Sequence, residues 1–293
     1  LIRFLKEKDI DTVKWDNCIA NAQCELPYAY TYYLRLVCKN WGGLILNNYE
    51  AVMPLPYAYK FGLPYIYQPY FTQQLGIYTS LAIKEKIINQ FTDAIPKKYF
   101  FISTQLNYTC STTSKKIKHR KNLILQLNKP YTEIYSKFSE NTKRNIKQAE
   151  KQKLQLQLNA YNPEKYALFY KEHNPIEKSK HTELILEKII RTTTENKKGE
   201  TWSAHSATGN LLAFAHFLKE RKRVVYIAPA SSAEGKKQKA MFFLINEFCK
   251  KHSENNLIVD FEGSELVNVA RFYEAFGAEK ELYPIYLKKY FFF

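Results

Sequence analysis

A chain of 293 residues, 45% hydrophobic and 15% aromatic, is long enough for two domains and apolar enough to fill their cores. Residues 1–124 carry 16 basic and 8 acidic side chains and residues 125–293 carry 28 and 20, so the net charge of +16 sits in no single tail and favours anionic partners for the chain as a whole. Five cysteines without a CxxC pair argue against a disulfide framework and for a reducing compartment, the cytoplasm, while six histidines without ligand spacing predict no metal site.

The first six residues, Leu1-Ile2-Arg3-Phe4-Leu5-Lys6, lack a long apolar run and are not expected to act as a signal peptide. Residues 9–23 predict a helix capped by Asp9 or Asp11, residues 28–39 a second helix, and Trp41-Gly42-Gly43 a break. Strands are expected at 44–46, 51–57 and 65–67. The uncharged run 61–83 is broken by Gly62, Pro64, Pro69 and Gly76, which suits strands and turns and makes a poor membrane span. A helix at 82–94 and strands at 99–106 and 117–127 complete this half.

After Pro130 the order recurs. A helix is expected over 132–151, a strand at 154–158, and helices at 163–172 and 182–193. Strands 201–206 and 211–219 flank Thr208-Gly209-Asn210 as a hairpin, followed by a strand at 224–228. Residues 239–250 are apolar nearly all round, as in a helix buried against a sheet. A buried strand at 257–261, a helix at 266–276 ended by Gly277, and a strand at 282–287 finish the chain. The recurrence predicts an α/β fold of two similar domains, 1–127 and 128–293, with a single continuous sheet as the competing reading.

Several residues are candidates for chemistry. Gly235-Lys236-Lys237-Gln238-Lys239-Ala240 lies between a strand and a helix, where free N–H groups and the helix dipole favour an anion. The preceding Ser231-Ser232-Ala233-Glu234 also reads as a capping box, which satisfies those same N–H groups. Asp260 and Glu262 lie at the end of a buried strand, where period two sets them on one side. Glu262 is the first candidate for a general base and His216 the reserve, although His205 and His216 also suit structural roles on their hairpin. Lys143, Arg144, Lys147 and Lys151 form a basic helix face, suited to a phosphate backbone or to solvent. An aromatic and glutamine-rich cluster near Gly76, including Gln68 and Gln74, suits either the wall of an interdomain pocket for a polar acceptor or plain core packing.

Asn268-Val269-Ala270-Arg271-Phe272-Tyr273-Glu274-Ala275-Phe276-Gly277 resembles the Asn, Ala, Tyr and Gly helix pattern of GNAT acyltransferases. The resemblance implies that Asn268 lies near the cofactor and that Tyr273 lies near the thioester, where a phenol can protonate a leaving thiolate. By the same resemblance, residues 235–240 correspond to the family's phosphate-binding turn, of which they keep the last position well, and Gly235, Lys236, Lys237 and Lys239 would meet the phosphates. Residues 136–151 are similar to a basic helix of FemAB-like proteins, tandem GNAT-fold transferases of which many use aminoacyl-tRNA. Together the resemblances imply two GNAT-like (acyl-CoA N-acyltransferase) domains in tandem, each a mixed sheet flanked by helices. They imply transfer of an acyl group from acyl-CoA to an amine. Transfer from aminoacyl-tRNA, or ligand binding without catalysis, is the alternative.

Overall fold

The computed structural model describes residues 1–110, 117–159, 162–174, 179–263 and 265–290. The chain divides into two units, Leu1–Lys121 with Glu281–Phe293, and Asn122–Lys280. The division therefore falls six residues before the expected 127/128 boundary, and the last strand counts with the first unit. Backbone pairing supplies the reason for both. Residues 124–126 pair with residues 258–260 of the second unit, and residues 285–289 pair with residues 101–105 of the first.

The first unit contains β1 (Ile2–Lys6), α1 (Thr12–Ala20), α2 (Thr31–Val37), β2 (Trp41–Leu46), β3 (Ala51–Lys60) and β4 (Leu63–Ile66). β5 (Tyr78–Thr79), α3 (Glu85–Asp93) and β6 (Phe101–Gln105) follow. Asp11 caps α1 by accepting the N–H groups of Val13 and Lys14, both at 3.1 Å, and Trp15 and Ile19 carry the buried face of that helix. The strands run β1-β2-β3-β4-β6, continued by the chain's last strand, with β5 beside β3. The β4–β6 pair is parallel. Trp41-Gly42-Gly43 opens β2 rather than breaking the chain, because side chains at Gly42 and Gly43 would occupy the space of the Phe4 and Trp15 rings. Leu44, Met53, Leu55, Ile66, Phe91 and Ile102 lie in the core.

In the second unit, β7 (Lys118–Gln126) is followed by α4 (Tyr131–Ser136), α5 (Glu140–Glu150), β8 (Gln155–Leu158), α6 (Pro163–His173) and α7 (Lys180–Glu195). β9 (Gly199–His205), β10 (Leu211–Lys219), β11 (Arg223–Ser231), α8 (Ala233–Lys237) and α9 (Ala240–His252) come next. β12 (Ile258–Asp260) and α10 (Val267–Glu274) precede β13 (Glu279–Lys289), which ends in the first unit. The sheet order is β7-β12-β11-β10-β9-β8, with β11 and β12 the parallel pair. Helices cover both faces. Tyr166 of α6 packs on Phe214 of β10 at 4.9 Å, and Phe248 of α9 stacks on Phe217 at 4.0 Å from the other side.

The single helix expected over 132–151 is two. Ser139 interrupts it, accepting the Thr142 N–H at 3.2 Å as the N-cap of α5. The Ser139 N–H and the Thr142 hydroxyl both donate to the Ala275 carbonyl, at 2.9 and 3.0 Å. The start of α5 thus satisfies the end of α10. Gly277 takes the left-handed conformation after α10, with φ of 78°.

Candidate active site

β11 and β12 pair at three positions, Arg223 with Ile258, Val224 with Val259 and Val225 with Asp260. β12 then stops while β11 runs on to Ser231, so the strands part beyond their paired stretch. Openings beyond the carboxyl ends of parallel strands are where α/β folds hold ligands.

Local chemistry drives the parting. The Arg223 guanidinium donates to Asp260 Oδ2 at 2.6 Å, and both side chains are buried. Asp260 Oδ1 accepts the Glu262 N–H at 2.8 Å. This turns the chain into the left-handed region at Glu262 and Gly263, each with φ of 58°. For a residue with a Cβ that conformation costs ~1–2 kcal/mol, so the buried ion pair and its hydrogen bond hold an unfavourable backbone at Glu262. The period-two expectation for Asp260 and Glu262 fails for this reason. Asp260 is a buried structural carboxylate, and Glu262 stands beyond the strand in the turn. On β11, Ala228 is also left-handed (φ 49°), and the pairing with β10 slips between Phe214 and His216.

α10 brings Tyr273 to this opening. Its ring is 5% exposed, stacks on Phe261 at 4.6 Å with planes 8° apart, and meets Tyr226 edge-on at 5.8 Å. Burial pushes the Tyr273 pKa well above the usual phenol range, and the Glu262 carboxylate and then Tyr170 of α6 add to the rise. Tyr273 and Glu262 are therefore within electrostatic reach of each other.

α9 joins the same cluster. The Tyr226 hydroxyl donates to Met241 Sδ at 2.9 Å, and Phe242 meets Phe272 of α10 at 4.9 Å. The first turn of α9 thus lies against the strand and helix that hold Tyr273. Lys239 is the N-cap of α9, left-handed at φ 60°, and no side chain caps the helix. The 235–240 stretch divides at this point. The Gly235 N–H is taken by Ser232 Oγ at 3.0 Å, as the N-cap of the short α8. Gly235 is buried, and a Cβ there would run into the Leu212 carbonyl. The expected anion position at Gly235 is therefore filled by the protein itself, with Ser232 and not Ser231 as the cap. The uncapped helix start lies four residues on, at Lys239 and Ala240. Lys236 and Lys237 are exposed, Lys239 is partly so, and none of the three forms an ion pair among the described residues. Asn268 is exposed in the first turn of α10.

His216 is not part of this cluster. It is fully buried on the α7 side of β10, with Nε2 2.8 Å from Thr193 Oγ1 and Nδ1 2.9 Å from Thr201 Oγ1. Burial pushes its pKa down to about 3, against the upward pull of Glu200. A neutral imidazole sealed between two threonines is a structural group, which corrects its expected reserve role as base. Gln68 and Gln74 are likewise committed to backbone. Gln68 accepts the Gln105 N–H and donates to the Thr72 carbonyl, and Gln74 accepts the Tyr108 N–H. The sequence reading missed Tyr226, Tyr170 and Phe261. Tyr226 had one signal, a hydroxyl within the otherwise aliphatic stretch Val224-Val225-Tyr226-Ile227.

No family profile and no curated protein sequence matches the chain. Solved structures do. FemX matches at a TM-score of 0.66 and 11% identity over 96% of both chains. A tandem GNAT protein from the clavulanic acid biosynthesis pathway matches at 0.53 and 11% identity over 98% of both. L-PGS from Bacillus licheniformis matches at 0.51 and 12% identity, over 84% of this chain and 83% of its own. At these identities the likeness is one of fold. The chain has the fold of the FemAB-like, tandem-GNAT group: α/β, with two GNAT-like domains, each a mixed sheet flanked by helices.

Proposed function

We propose that the chain is an acyltransferase that moves an acyl group from acyl-CoA to an amine. The carrying observation is that Tyr273 packs on Phe261, the residue before Glu262, and on Tyr226, which in turn bonds Met241 in the first turn of the uncapped α9, all at the ends of β11 and β12. In this reading the diphosphate of the donor meets the α9 N–H groups and Lys236, Lys237 and Lys239, where the helix dipole and three lysines favour negative charge. The thioester enters the opening and Asn268 lies at its rim. Glu262 takes a proton from the attacking amine as the C–N bond forms. The tetrahedral intermediate then breaks its C–S bond, and Tyr273 protonates the departing thiolate.

The electrostatics support this order of events. An ionised Glu262 opposes the phenolate that Tyr273 would leave. Once Glu262 carries the amine's proton, its charge is gone and the smaller upward push on the Tyr273 phenol goes with it, burial remaining the main one. Base and acid are thereby coupled. The five cysteines include no disulfide pair, which suits a reducing compartment such as the cytoplasm.

Transfer from aminoacyl-tRNA is the second reading, favoured by one feature of α5. Arg144, Lys147 and Lys151 are exposed there at three- and four-residue spacing, whereas Lys143 is engaged by Glu140 at 2.8 Å. Calorimetry at low salt with acetyl-CoA, longer acyl-CoAs and bulk tRNA separates the two. The primary reading expects acyl-CoA binding that weakens with added salt and with Lys236, Lys237 and Lys239 changed together to Ala. Absence of acyl-CoA binding sinks it, and tRNA binding lost on changing Arg144, Lys147 and Lys151 puts the second reading in its place.

A further inference from the structure

The tip of the β3–β4 hairpin breaks the usual rule for an exposed turn. Phe61 is 95% exposed, Tyr59 62% and Leu63 47%. No contact within the first unit's core is served by this display, and clustered exposed apolar groups mark a docking surface. Phe61 holds a left-handed backbone (φ 50°) at the turn, where asparagine or glycine is the unstrained choice.

Backbone pairing sets two further segments beside the tip. Tyr65 and Ile66 of β4 pair with Phe101 and Ile102 of β6, and the Phe100 N–H donates to the Pro64 carbonyl. Lys288 and Lys289 of β13 pair with Ile102 and Phe101. Across residues 57–66, 96–102 and 286–290 there are five lysines and no carboxylate. Four of the lysines stand over rings: Lys60 over Phe61 at 5.8 Å, Lys98 over Phe4 at 5.3 Å and Tyr99 at 5.2 Å, Lys289 over Phe101 at 5.8 Å and Lys288 over Tyr290 at 4.9 Å. One end of the sheet therefore joins an apolar apex to a collar of lysines and tyrosines.

We propose that this end of the first unit docks on an anionic lipid surface. Phe61 and Leu63 enter the acyl boundary, Tyr59 sits at headgroup level, and Lys60, Lys97, Lys98, Lys288 and Lys289 meet the lipid phosphates. The all-positive charge of the three segments is complementary to such a surface, and amphipathic rings with long basic side chains suit its interface. A nucleic acid fits less well. The apex offers an aliphatic Leu63 that has no stacking face, and the collar has no arginine for bidentate phosphate or base contacts.

The test is sedimentation of the full chain with vesicles of phosphatidylcholine alone and of phosphatidylcholine mixed with phosphatidylglycerol. Binding is expected for the mixed vesicles, weaker at high salt. Phe61→Asn tolerates the left-handed turn and empties no core, so its fold is preserved. It should lower partitioning about 10- to 100-fold, as for the loss of one buried phenyl ring. Each lysine of the collar changed to Gln should lower it about fivefold. Phe61→Trp adds a second readout, since the native Trp15, Trp41 and Trp202 are all buried at 0–1% exposure. The introduced indole should shift to shorter emission wavelength on mixed vesicles. The proposal is overturned by no binding to mixed vesicles at low salt, by equal binding of Phe61→Asn, or by an unshifted Phe61→Trp emission. It is equally overturned if Phe61→Asn abolishes a self-association or tRNA binding while vesicle binding persists.

Discussion

Tyr273 illustrates how little of a residue's role its own side chain decides. A phenol on an amphipathic helix serves equally as core or as acid, and the flat stack on Phe261 gives it a core contact in either case. What separates the roles is the effect of removing only the hydroxyl. Tyr273→Phe keeps the ring stack, so the unfolding free energy should fall by ~1 kcal/mol at most, as for one lost hydrogen bond, with a correspondingly small shift of the melting temperature. Turnover should fall ~10²–10⁴-fold if the phenol protonates the leaving group. Both are read on one sample by acyl transfer assay and thermal melt, and a stable variant with undiminished turnover removes the acid role. His216 makes a prediction of a different kind. Unfolded, it titrates near 6.5, and folded it stays neutral down to about 3. Between those values the unfolded chain binds the extra proton, so stability is full above pH 6.5 and is lost as pH falls toward 3. The slope approaches ~1.4 kcal/mol per pH unit. Urea unfolding across that range should show it, and His216→Gln should flatten it, whereas an unchanged slope would assign the acid sensitivity to other groups.

At the scale of elements, the junction between α8 and α9 carries two separable functions. Ser232 caps α8, and Ser232→Ala should cost ~1 kcal/mol in denaturant unfolding and leave donor affinity near that of the parent chain. Gly235→Ala drives a methyl into the Leu212 carbonyl, which either shifts α8 from β10 or destabilises the unit by ~1–3 kcal/mol. Because α9 begins on its own left-handed Lys239, donor binding should follow the lysines and not the cap. Loss of acyl-CoA affinity in Ser232→Ala, measured by calorimetry, would show that the anion site had been assigned to the wrong helix. The split of α4 from α5 follows the same logic, since one serine side chain competes for the N–H groups of a continuous helix and wins because Ala275 accepts its backbone.

At the scale of the whole molecule, the last strand is the element most distant in sequence from the unit it completes. Residues 285–289 pair with all five residues of β6. A chain ending at Lys280 leaves that edge of β6 unpaired. Hydrogen exchange should then report lost protection at residues 101–105, while β10 and β11 of the second unit keep theirs. Uniform loss through both units would mean that they unfold as one. The charge excess behaves as a whole-molecule property too, being spread over both halves. Among the described residues no helix is long and apolar enough to cross a membrane.

The amino-acid sequence by itself determined the kinds of elements and most of their order, because apolar period, caps and turn residues act over a few positions. Asp11 capped α1, Gly277 closed α10, and the all-round apolar α9 lay buried against the sheet, as local chemistry required. The sequence also marked Tyr273, Glu262 and the lysines before α9 as residues of interest. Only the tertiary structure decided where they were placed and what they touch. Arg223 reached 37 positions along the chain to Asp260, and that buried pair bent Glu262 out of the strand period. Thr193 and Thr201 enclosed His216, and Ser232 took the N–H that Gly235 was expected to offer a ligand. Each outcome turned on which polar groups were removed from water together, and that depends on partners far apart in the chain.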